Sequence, residues 1–162
     1  MVLVTLVTAA LAILGTLLGA IVSGRIQERA AERAVRIGHG ETVRRDRLEA
    51  VTALAVAVSD HRRTLWKRGE AVLGGEDDGL VQALRAESQA TRAAVARPLV
   101  TMRVLITDPA VRAAADRMIT LTYAIREALD STEALAAARR EAVVAHDEFV
   151  DTAARYLTTQ TA

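Results

Sequence analysis

Four cations fall within seven residues at Arg62-Arg63-Thr64-Leu65-Trp66-Lys67-Arg68, around one aromatic ring and with no acid among them. Guanidinium and ammonium groups bind phosphates, and an indole between them can stack on a base or on a partner side chain. Arg62, Arg63, Trp66, Lys67 and Arg68 therefore form a candidate anionic-ligand patch. The competing reading is the wet face of a helix whose Leu65 points inward, with arginines favoured by the dipole near the helix C-terminus.

The other chemistry-bearing residue types occur in patterns that support no reaction. There is no G-x-x-x-x-G-K-[ST], no G-x-G-x-x-G, no H-E-x-x-H and no G-x-S-x-G. A di-iron bundle needs Glu three residues before each ligating His, but Val58 and Val143 precede His61 and His146 at that distance. These histidines stand beside Asp60 and Asp147, which suits packed or half-exposed rings with a local acceptor. The acidic run Glu76-Asp77-Asp78 lacks the alternating acids and distant Glu of a calcium loop. The absence of Cys excludes a disulfide framework, a thiolate metal site and a thiol nucleophile. The sequence thus points to no catalytic residue, no cofactor, no metal and no small-molecule substrate.

The elements that hold these residues are helices. The chain has 162 residues, enough for one domain or one small domain with an appendage. Only two residues are Pro, and Ala, Leu, Val, Arg and Glu abound. With 21 basic against 20 acidic side chains, a whole-chain nucleic-acid binder is disfavoured. A hydrophobic content of 51% disfavours a disordered chain.

Val2 to Gly24 carries no charged side chain. As a helix it extends ~34 Å, which spans a hydrocarbon core of ~30 Å. The run is too long for a signal peptide, no basic residue precedes it, and Ile21-Val22-Ser23 is a poor cleavage site. Arg25, Arg29, Arg33, Arg36, Arg44, Arg45 and Arg47 all follow it. Positive flanks stay inside, so the sequence predicts a single pass through the plasma membrane, N-terminus outside and the remainder cytoplasmic. Gly15, Gly19 and Ser23 recur every four residues and mark a possible helix–helix contact within the span.

Residues 25–40 read as a charged stalk helix ending in a Gly38-His39-Gly40 hinge. Residues 41–158 carry apolar stripes at helical spacing and predict an up-down four-helix bundle, followed by a tail at 159–162. Gly74 to Gly79 is a loop with Asp78 or Gly79 as the next N-cap. Pro98 implies a kink or break near Val95. Asp108-Pro109 is a cap and first-turn pair, and Asp130 to Glu133 resembles a further helix start capped by Asp130. Without a break at Asp130 the alternative is a three-helix arrangement with a long last helix. Leu54, Val58, Leu84, Val95, Met118, Ile125 and Phe149 lie mid-stripe and should be buried.

Several strings carry a resemblance: Gly15-Thr16-Leu17-Leu18-Gly19, Arg44-Arg45-Asp46-Arg47, Leu84-Arg85, Asp108-Pro109-Ala110-Val111 with Ala113-Ala114-Ala115, and Phe149 with Ala153-Ala154-Arg155. With them the chain resembles a large group of uncharacterised actinobacterial single-pass membrane proteins with an Ala/Arg-rich helical cytoplasmic domain. That resemblance implies a helical fold and a membrane anchor, and no activity. The expectation is a non-enzymatic scaffold or interaction protein on the lipid bilayer, as a subunit or regulator of a membrane assembly. Its contacts would be a protein partner or further copies of itself. The alternative is nucleic-acid or anionic-lipid binding through the stalk and the Arg62–Arg68 patch.

Overall fold

The computed structural model describes residues 40–159. α1 covers 40–73, α2 Asp78–Leu105, α3 Pro109–Ala124 and α4 Thr132–Thr159, with a 3-10 turn at Ile125–Glu127. No strand occurs among the described residues. The run Val2–Gly24, the small residues Gly15, Gly19 and Ser23, and the stalk with Gly38 and His39 lie outside them. Among the described residues no helix is long and apolar enough to cross a membrane. From Arg44 onward the chain forms one compact unit.

Successive helices run antiparallel, because each connection is too short to do anything but reverse the chain. Between α1 and α2, Gly75 adopts φ +69°, a left-handed conformation that suits Gly. Its neighbours close the end of α1: Gly74 N–H donates to Glu70 C=O at 2.8 Å and Glu76 N–H to Ala71 C=O at 3.0 Å. Asp77 then caps α2, its Oδ1 accepting from Leu80 N–H at 3.1 Å. The cap lies one residue before the expected Asp78, because a side-chain oxygen must come from outside the first turn to reach its free N–H groups.

α2 continues as one helix through Pro98, so no break occurs there. A proline forfeits one N–H bond, and the packed turns on either side carry the helix across it. Arginines serve the carbonyls at the end of α2. Arg47 Nε donates to Leu105 C=O at 3.1 Å and Arg112 Nε to Ile106 C=O at 2.8 Å. Asp108 caps α3 as expected, accepting from both Ala110 and Val111 N–H with Pro109 in the first turn. Losing both bonds in Asp108→Ala should lower stability by about 1 kcal/mol, read as a shift in urea midpoint.

The chain leaves helical geometry at 128–131, which makes the arrangement four helices rather than three. The cap of α4 is Ser131, whose Oγ accepts from Ala134 N–H at 3.1 Å, and not Asp130. The Asp130–Glu133 spacing is therefore not a capping box.

All four helices feed the core. Leu54 and Val58 from α1, Val95 and Met102 from α2, Met118 from α3 and Phe149 from α4 pack in one cluster. Toward the α1–α2 turn a second cluster joins Leu65, Ile125, Leu135 and Ala142. Of the expected core, Leu84 is only half-buried, and Leu48 of α1 and Val150 of α4, apolar residues at helical spacing from that core, are exposed. α1 and α4 pack tightly at Gly69, where a Cβ would stand 2.7 Å from Leu135 Cδ1. Leu135 is fully buried and has little room to yield. Gly69→Ala should therefore cost about 1 kcal/mol, overpacking outweighing the gain in helix propensity. A urea midpoint at or above that of the parent chain would refute this.

Candidate functional site

The Arg62–Arg68 string does not form one surface. Its residues lie on a single helix, and successive side chains point about 100° apart. Arg63 is exposed and pairs with Asp60 at 3.0 Å, as i,i+3 neighbours do. Lys67 is exposed. Arg62 and Trp66 turn toward α4. The guanidinium of Arg139 stacks over the indole, 4.6 Å from the ring centroid. Arg62 donates to Ser59 Oγ at 3.1 Å; burial pulls its guanidinium below its usual value while the Asp147 carboxylate opposes that. Arg68 turns the other way, toward α2.

There it joins residues that lay apart in the sequence. A cavity of about 210 Å³ is lined by His61, Leu65 and Arg68 of α1, Arg85, Ser88, Gln89 and Arg92 of α2, Tyr123 of α3 and Arg126 of the 3-10 turn. On α1 the spacing 61, 65, 68 places three side chains on one face, and 85, 88, 89, 92 does the same on α2. The two faces meet because the turn at Gly74–Asp77 folds α2 back along α1. Four of the nine lining residues are arginines and none is acidic.

His61, which lines the cavity, belongs to a polar cluster behind it. His61 is buried, its Nδ1 3.0 Å from Thr91 Oγ1, and Thr64 Oγ1 lies 2.9 Å from the same hydroxyl. The imidazole meets the Tyr123 ring edge to face, with centroids 5.2 Å apart. Arg92 stacks on that ring from 5.1 Å. Burial and the nearby Arg92 cation push the His61 imidazole down to about 4, against an opposing hydrogen bond to Ser88 backbone. His61 is therefore neutral at pH 7. The guanidiniums above it are not all compensated. Arg126 pairs with Glu127 at 3.0 Å, while Arg68 Nε is buried with no hydrogen-bond partner among the described residues.

No group of three or more potential metal ligands occurs among the described residues. His146 stands next to Asp147, 3.3 Å from its carboxylate, on the half-exposed side of α4.

Residues 48–157, which run from α1 to the end of α4, match the family described as KilB plasmid transfer protein. The chain belongs to that family. Protein KilB of Streptomyces lividans is 39% identical over 150 residues, covering 93% of this chain and 97% of the relative. An actinobacterial relative agrees with the origin implied by the sequence resemblance. No solved structure matches. The family match contains the whole cavity, from His61 to Arg126.

Proposed function

We propose that this chain is a non-enzymatic accessory protein of plasmid transfer, a helical interaction module held at the cytoplasmic face of the plasma membrane by Val2–Gly24. The observation that carries the reading is the KilB family match, which coincides with the four-helix bundle. The anchor and its orientation rest on the charge-free run and on the cluster of arginines that follows it. Such a module works through contacts with a protein partner or further copies of itself. Binding to a nucleic acid through the Arg62–Arg68 string draws less support, since Arg139 occupies the Trp66 ring face and Asp60 neutralises Arg63.

Complementation tests the reading. In a Streptomyces lividans donor lacking its own KilB, the full chain should restore plasmid transfer to recipients, and a version without Val2–Gly24 should not. Failure of the full chain, once its expression is verified, would argue against a role in transfer. Full activity of the shortened version would remove the anchor from the mechanism.

A further inference from the structure

We propose that the cavity between α1, α2 and the 3-10 turn is a binding site for a phosphate group, held by Arg68, Arg85, Arg92 and Arg126. Three observations carry this, and none depends on the role in transfer. The first is convergence. Four guanidiniums from three separate elements line one concave space, although they lie up to 58 positions apart in sequence. Each carries a permanent positive charge, so an anion in this space would meet several cationic donors at once. The carboxylate at hand, Glu127, accepts from Arg126, and among the described residues the other three have no ion pair.

The second is the unused donor. Arg68 Nε is buried with no partner among the described residues, which costs stability unless a ligand accepts from it. The third is the remaining lining. Gln89 and Tyr123 add neutral donors, and Leu65 and the Tyr123 ring close the apolar side. A space of about 210 Å³ matches the share of roughly seven waters, the scale of a phosphate or pyrophosphate rather than a large ligand. Guanidinium forks pair with phosphate oxygens bidentately, and several forks around one small space suit a multiply charged anion better than a monocarboxylate. Arg92 is held in place by its stack on Tyr123, and Tyr123 by His61, so part of the site is preorganised. The same phosphate chemistry is offered by a free anion or by a lipid headgroup, and the site is open to either.

The test is titration calorimetry of the full chain in a non-ionic detergent with inorganic pyrophosphate. Saturable binding at one site is expected. Arg68→Gln, Arg85→Gln and Arg92→Gln should each raise Kd about tenfold or more, since each removes a charge-assisted hydrogen bond. Arg85 is exposed, so its substitution should leave folding intact. Arg140→Gln, on the outer face of α4, should leave Kd unchanged. Repeating the titration with phosphatidic acid added to the micelles distinguishes the sources. Competition identifies a lipid headgroup at this site, and its absence a free phosphate. No saturable binding of either, heat only with duplex DNA, or a Kd indifferent to all three cavity substitutions would overturn the proposal.

Discussion

Phe149→Ala should lower the unfolding free energy by ~3–5 kcal/mol, a large share of what a small domain has. Phe149 is the one Phe in the chain, is fully buried, and packs in the cluster that joins all four helices. A core built largely of Ala, Val and Leu has little with which to refill the volume of a phenyl ring. Arg140 lies nine residues earlier on α4, two and a half turns away, and is exposed. Arg140→Ala should change stability by less than ~0.5 kcal/mol. Trp66 is the sole tryptophan, half-buried against Arg139, so its fluorescence reports urea unfolding of both variants. Coincident midpoints would mean that α4 does not present this face to the core.

Acid should destabilise the bundle through one buried imidazole. His61 titrates at about 4 in the folded chain instead of the usual 6.5. Between these values the unfolded chain holds a proton that the folded chain refuses, so unfolding gains as pH falls. The contribution of neutral His61 is fully present above about 6.5 and is lost progressively down to about 4, below which both states are protonated. At ~1.4 kcal/mol per unit the loss is on the order of 3 kcal/mol. His61→Gln keeps a polar side chain beside Thr91 but does not titrate. Carboxylates contribute equally to both chains, so the difference in their stability should shrink between pH 6.5 and 4. Parallel curves would show that His61 is not held neutral by burial.

The helical fold was legible from periodicity because the core needs little more than apolar stripes at a spacing of three and four. Leu54, Val58, Val95, Met118, Ile125 and Phe149 all became buried. Leu84 did not, and is only half-buried in the second turn of α2, one residue before the cavity residue Arg85. Leu48 and Val150 mark the edges of their stripes and face outward. Caps proved harder to place. Asp77 and Asp78 are chemically equivalent in sequence, as are Asp130 and Ser131 at a helix start, and backbone geometry decides between them.

The cavity was legible only in part. Arg68 stood out within a basic string on one helix, but Arg85, Arg92, Arg126 and Tyr123 did not, since their grouping is a product of tertiary structure. One signal was available. Once Gly74–Asp77 is a reversing turn, residues equidistant from it lie at the same level, which pairs Arg68 with Arg85 and His61 with Arg92. Reading charge along the chain found the string, while reading it across the turn finds the cavity.

The claim that the bundle is held inside the cell by Val2–Gly24 has a direct measurement, because a chain without cysteine gives no labelling background of its own. Single cysteines are placed as Val2→Cys and Gln160→Cys, and intact cells are treated with a membrane-impermeant thiol reagent. The chain should fractionate with membranes, Val2→Cys should label in intact cells, and Gln160→Cys should label only after the cells are opened. Labelling of Gln160→Cys in intact cells, or recovery of the chain in the soluble fraction, would contradict the account.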